Sequence, residues 1–209
     1  MSLAPASESQ MFITFEGIDG AGKSTQARML AEALSDDAVL LREPGGTAAG
    51  ERLREILKDP GVSLSPRAEL LLFLSARAEL VEAVIRPALA AGRPVVCDRF
   101  MDSTVAYQGA ARGLGVEVVR DLNAVAVAGC VPDRTVLLRL DADLAGARGD
   151  GRGDYGDDRF EREGESFQAT IAAAFDELAA SEPDRFLVVD ATGTPEQVHD
   201  RVLAGLGVE

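Results

Sequence analysis

Gly17, Gly22, Lys23 and Ser24 stand at the spacing GxxxxGK followed by Ser or Thr, inside the run F-E-G-I-D-G-A-G-K-S-T from Phe15 to Thr25. This pattern holds the phosphates of a nucleoside triphosphate. Glycines let backbone N–H groups turn inward around phosphate oxygens, the Lys23 ammonium reaches the outer phosphates, and the Ser24 hydroxyl can ligate Mg²⁺. A bare Gly-rich turn is the plain alternative, and the complete motif between a strand and a helix speaks against it. A second pair, Asp98 and Arg99, follows the apolar run Val95-Val96-Cys97. Ligands of open α/β sheets bind where a buried parallel strand emerges at its carboxyl end. There Asp98 can hold Mg²⁺ through water and Arg99 can clamp a further phosphate; a structural ion pair is the simpler alternative. Phe73 and Arg77 lie four apart in a helical pattern and share a face. A ring beside a donor suits a pyrimidine base, although the pair alone reads more simply as a core Phe beside a surface Arg.

These residues need elements to position them. Short apolar runs predict strands at Met11–Glu16, Val39–Arg42, Pro94–Asp98, Arg134–Leu140 and Phe186–Val189. Helical spacing fills the intervals: Lys23–Leu34, Ala48–Leu57, Pro66–Ala90, Ser103–Ala110, Val116–Ala128, Glu161–Ala180 and Thr194–Leu206. The alternation predicts an α/β fold, a parallel sheet with helices on both faces. The chain length suits one domain over residues 11–209, preceded by a loose tail at 1–10. Gly146–Asp158, rich in glycine and charge, reads as a mobile loop within that domain.

Composition narrows the function classes. A net charge of −14 argues against a nucleic-acid surface, which needs a basic stripe to displace counterions. No apolar run reaches the roughly 20 residues that span a bilayer, and the first ten lack a signal-peptide pattern. The expectation is a protein with neither membrane nor nucleic-acid partners. Cys97 and Cys130 lie apart in apolar segments, as buried free thiols of a reducing, cytoplasmic setting would. The single histidine, His199, lies far along the chain from every motif and is expected on the surface.

Taken together, F-E-G-I-D-G-A-G-K-S-T-Q, R-E-P-G-G-T at Arg42–Thr47, L-L-F-L-S-A-R, D-R-F-M-D-S-T-V-A-Y-Q-G at Asp98–Gly109 and D-R-F-E at Asp158–Glu161 resemble the bacterial thymidylate kinases. The blocks occur in family order over nearly the whole chain. The resemblance implies a P-loop nucleoside monophosphate kinase fold with a five-stranded parallel sheet, a homodimer, ATP and dTMP as substrates, and Mg²⁺ bound with ATP. Carried over by position, it implies ATP binding by Gly17, Ile18, Asp19, Gly20, Ala21, Gly22, Lys23, Ser24 and Thr25, with the metal at Ser24 and Asp98. Asp19 would sit near the acceptor sugar's 3′-hydroxyl, and Arg99 would hold the acceptor phosphate. Phe73 would stack on thymine, Arg77 would donate to its O4, and Thr104 would touch its edge. Tyr107 would place a ring against the sugar's 2′ position, and Pro44 and Leu53 would line the same pocket.

Some members of the family carry an arginine inside the phosphate loop, where this chain has Gly20. The resemblance then assigns the missing charge to Arg148 and Arg152 in the 146–158 loop, acting as a lid. That loop departs from the family in its extra glycine and aspartate, Asp150, Asp154, Asp157 and Asp158, which leaves open which arginine acts. Two alternatives stand beside this reading. One is a kinase of the same fold for another nucleoside monophosphate. The other is a nucleotide-dependent ATPase switch, disfavoured because the only asparagine, Asn123, forms no NKxD motif and Asp98 is followed by Arg.

Overall fold

The computed structural model describes residues 11–141, 144–145 and 165–208. Strands β1 (Phe12–Glu16), β2 (Val39–Arg42), β3 (Val95–Asp98), β4 (Arg134–Arg139) and β5 (Phe186–Asp190) form one sheet in the order β2-β3-β1-β4-β5. Every neighbouring pair is parallel, with Phe12 opposite Val95 and Ile13 opposite Arg134. The central strand β1 is buried along its whole length, as a strand covered on both faces must be. Its alternating side chains separate two apolar clusters: Ile13 and Phe15 belong to one with Val96, and Phe12 to the other with Val95 and Cys97. Cys97 and Cys130 are buried free thiols.

The helices are α1 (Lys23–Leu34), α2 (Ala48–Lys58), α3 (Pro66–Leu80), α4 (Arg86–Ala90), α5 (Met101–Thr104), α6 (Val116–Val127), α7 (Glu165–Ser181) and α8 (Pro195–Leu206). Local signals set several of their starts. Thr47 accepts from the backbone N–H of Gly50 to begin α2, and Ser65 caps α3 with Pro66 next to it. Thr194 and Gln197 form a capping box on α8. No helix among the described residues is long and apolar enough to cross a membrane.

The periodicity over Pro66–Ala90 predicts one helix, and the structure divides it with a wider π turn at Val81–Ile85. Pro87 supplies the reason: it has no N–H to donate to the preceding turn, and the Arg86 N–H reaches back five residues to the Val81 carbonyl. The helix expected at Ser103–Ala110 likewise opens as α5 and continues as a π turn over Val105–Ala111. His199 on α8 is half-buried rather than on the surface, and its Nδ1 is enclosed; burial lowers its pKa.

Candidate active site at the carboxyl edge of the sheet

The loop from β1 into α1 presents an open helix N-terminus. Gly22, the residue before α1, is left-handed at φ 96°, no side chain caps the helix, and its first turn holds no acid. The free N–H groups and the helix dipole together favour an anion there. Gly20 is left-handed at φ 80°, and a Cβ on it would lie 2.3 Å from the carbonyl oxygen of Ala145. No side chain fits at that position without moving the backbone, a physical reason for the missing loop arginine.

Lys23 is 7% exposed, and its ammonium donates to the Ile18 carbonyl at 2.7 Å. Burial, followed by the charge of Arg99, lowers its pKa to about 8. A phosphate in the loop would relieve both penalties. Next to it, Ser24 Oγ donates to Asp98 Oδ2, while Asp98 Oδ1 is buried without a hydrogen-bond partner among the described residues. A hydroxyl beside a carboxylate oxygen with spare lone pairs is a hard, oxygen-only donor set, and it fits Mg²⁺.

Arg99 projects from the end of β3 into the same space. Its backbone is left-handed at φ 68°, unusual for a side-chain-bearing residue. Nη2 donates to Asp19 Oδ1 at 2.5 Å and to the Tyr107 hydroxyl at 3.1 Å; Nη1 donates to the Gly17 carbonyl at 3.2 Å and to Ser103 Oγ at 3.0 Å. The Tyr107 hydroxyl in turn donates to Asp19 Oδ2 at 3.2 Å, and the guanidinium lies 5.1 Å from the centre of its ring. Burial pushes the Asp19 carboxyl up, but Arg99 and Lys23 outweigh it and hold the group below the usual carboxylate value. Asp19, Lys23, Arg99 and Tyr107, drawn from two separate stretches of chain, thus meet at one sheet edge.

The Phe73–Arg77 pair inverts the simple reading of a core Phe and a surface Arg. Phe73 is half-buried, whereas Arg77 is 1% exposed. Its Nε and Nη2 donate to Glu43 Oε2 at 3.0 and 2.7 Å, Nη2 also to Thr104 Oγ1 at 2.7 Å and the Phe100 carbonyl at 3.2 Å, and Nη1 to Asn123 Oδ1. Glu43 is buried, and that burial raises its pKa. Pro44, which follows a cis peptide bond, is buried, and its carbonyl accepts from Arg54 of α2 at 2.9 Å. Leu53 is half-buried on α2, which packs against α3.

Glu43 and Ser103 lie inside the quoted blocks but receive no role from them, and Asn123 lies in none. Glu16, the second residue of the phosphate-loop block, receives none either, although a carboxylate ending the mostly apolar run F-I-T-F-E was a usable signal. Glu16 is fully buried, and burial followed by the charge of Asp102 pushes its pKa up to about 7 against the pull of Arg99. Arg148, Arg152 and the rest of the 146–158 loop, with the Asp158–Glu161 block and the 1–10 tail, lie outside the described residues.

Comparison with known proteins agrees with this geometry. The family model described as thymidylate kinase matches residues 15–202. A thymidylate kinase of Solidesulfovibrio magneticus is 47% identical over 206 residues, covering 94% of this chain and 99% of the relative. One of Rhizorhabdus wittichii is 47% identical, covering 93% and 96%. The crystal structure of thymidylate kinase from Ehrlichia chaffeensis superposes with a TM-score of 0.75 at 36% identity, covering 94% of this chain and 98% of that one. With its sheet order, its phosphate loop and near-full-length relatives at almost half identity in agreement, the chain belongs to the thymidylate kinase family.

Proposed function

We propose that the protein transfers the γ-phosphate of ATP to the 5′-phosphate of dTMP, giving ADP and dTDP. The observation that carries this reading is Arg99, a second anion-binding group beside the phosphate loop, held by Asp19 and Tyr107 and close enough to Lys23 to lower its pKa. A hydrolase of one triphosphate has less need of two such groups.

The barrier lies in bringing two anions into line, because the attacking oxygen belongs to a phosphate that is already ionised. No general base is needed. Lys23 exchanges the Ile18 carbonyl for the outer phosphates of ATP, and Arg99 exchanges part of its contact with Asp19 for the acceptor phosphate. Ser24 and Asp98 would hold Mg²⁺, which neutralises charge on the transferring phosphates. Asp19, released in part from Arg99, faces the acceptor's 3′-hydroxyl. Arg148 and Arg152 are proposed to bring further charge and to exclude water when the 146–158 loop closes.

Phe73 is proposed to stack on thymine, with Tyr107 against the 2′ position and Pro44 and Leu53 along the wall. Arg77 is oriented by Glu43, Asn123 and Thr104, and one of the five N–H groups of its guanidinium is left to donate to thymine O4. A donor there rejects the amino group of cytosine. Uracil lacks only a methyl group, worth roughly 1–3 kcal/mol, so dUMP should be a slow substrate.

The reading extends to a cytoplasmic homodimer. Buried free thiols suit a reducing compartment, and exposed Leu71, Val118 and Val125 on the mutually packed α3 and α6 suit contact with a second copy. A coupled assay of ADP release with dTMP, dUMP, dCMP and dGMP beside a no-acceptor control tests the reaction. Release should depend on the acceptor and be fastest with dTMP. Equal release without acceptor would establish an ATPase, and a different best acceptor would establish another monophosphate kinase.

A further inference from the structure

Arg99 occupies a left-handed conformation that costs a residue with a Cβ about 1–2 kcal/mol, and such backbone persists only where its surroundings over-determine it. The turn after it is also short of its usual support. Phe100 precedes α5, and no side chain of its own caps the helix. An N-cap Ser, Thr or Asp would ordinarily satisfy the N–H three residues on.

The end of β1 makes good both deficits. The Phe15 carbonyl accepts from the Arg99 N–H at 3.0 Å. Glu16 Oε1 accepts from the backbone N–H groups of Phe100 at 2.8 Å and Ser103 at 3.1 Å, and its Oε2 accepts from Ser103 Oγ at 2.5 Å. That same Ser103 Oγ accepts from Arg99 Nη1 at 3.0 Å. One buried carboxylate therefore holds both ends of the turn and, through a single hydroxyl, the guanidinium itself.

We propose that Glu16 is the positioning residue of the acceptor-phosphate site: it acts as a remote helix cap that fixes the Arg99 turn and aims the guanidinium through Ser103. This rests on the assignment of Arg99 to the acceptor phosphate. Burying the Glu16 carboxylate in its charged form costs the fold stability, so a purely structural role would be better served by a neutral side chain. Gln at this position keeps the shape and can still accept from the two backbone N–H groups. Its amide nitrogen offers donors where Ser103 Oγ needs an acceptor, so the bond between residue 16 and Ser103 is reversed in polarity, the hydroxyl that receives Arg99 Nη1 is reoriented, and the backbone cap survives.

The test compares wild type, Glu16→Gln, Ser103→Ala and the double variant at pH 8, using whichever monophosphate of the acceptor panel the wild type takes best. KM for acceptor should rise about tenfold or more in Glu16→Gln, as small misplacements of a positioning group do. KM for ATP should stay within about twofold, and the melting temperature should not fall. Ser103→Ala should show the same split, and the double variant should be little worse than either single, because both cut one chain of contacts. An acceptor KM that stays put in Glu16→Gln, or that rises only in step with KM for ATP and a loss of melting temperature, overturns the proposal. Additive effects in the double variant overturn the route through Ser103. A failure of the dTMP reading shows separately, as a different best acceptor for the wild type.

Discussion

Substituting Gly20 and Gly22 separates two costs that phosphate-loop glycines usually carry together. Both are left-handed, at φ 80° and 96°, so a Cβ at either incurs about 1–2 kcal/mol of backbone strain. Around Gly22 nothing lies within 4 Å of the added atom, and Gly22→Ala should lose only that strain. At Gly20 the added Cβ lies 2.3 Å from the Ala145 carbonyl oxygen and 2.9 Å from its carbon. Ordinary contact begins at 3.4 Å, so the two backbones must separate by about 1 Å. Ala145 is itself 4% exposed, and its N–H donates to Asp141 at 2.9 Å, which limits how freely it can give way. Overpacking of this kind costs about 1–3 kcal/mol more. For a chain of this size each kcal/mol lowers the melting temperature by about 2–4 °C. Gly22→Ala should then melt roughly 2–8 °C below wild type and Gly20→Ala roughly 4–20 °C below. Thermal melts followed by circular dichroism give both values, and Gly20→Arg should melt no higher than Gly20→Ala. If Gly20→Ala is as stable as Gly22→Ala, the close approach of Ala145 does not explain the absence of a loop arginine.

Three further outcomes follow from the site. Arg77→Ala strips Glu43 of its only cationic partner among the described contacts, so it should destabilise the protein by about 3–5 kcal/mol and raise KM for dTMP more than KM for ATP. Equal loss for both nucleotides would contradict the pocket assignment. Glu16 has its pKa raised from 4.5 to about 7 in the fold; unfolding releases that proton, and its stabilising contribution is full below about pH 4.5 and lost as pH rises through 7. The melting temperature of wild type minus that of Glu16→Gln should therefore fall across that window, and a difference independent of pH would show that burial does not perturb Glu16. Removing divalent cations with EDTA should abolish transfer and Mg²⁺ should restore it; Asp98→Ala should raise the Mg²⁺ concentration needed for half-maximal rate, and an unchanged requirement would exclude Asp98 from the metal site.

The phosphate loop, the five strands and the order of the helices were legible in the chain because each is written locally. Glycines at the loop, apolar runs of strand length and periodic helix faces act through backbone preference and burial over a few neighbouring residues. Lys23, Ser24 and Asp98 could be named for the same reason, since motif and strand end specify their surroundings. What local pattern missed was partnership. Phe73 and Arg77 share a helix face, but which of them is buried depends on Glu43, 34 residues earlier, and Asn123, 46 residues later.

The same holds for the loop's own gap. Sequence determined that position 20 is a glycine where some family members carry an arginine; only the packing of Ala145 against it supplied the steric reason. Glu16 likewise read as the last residue of a strand, and the fold turned it into the cap of a helix 84 residues away. Residue type limits what a side chain can offer. Tertiary structure decides which donors lie within 3 Å of it, and in a buried site that choice sets both its charge state and its work.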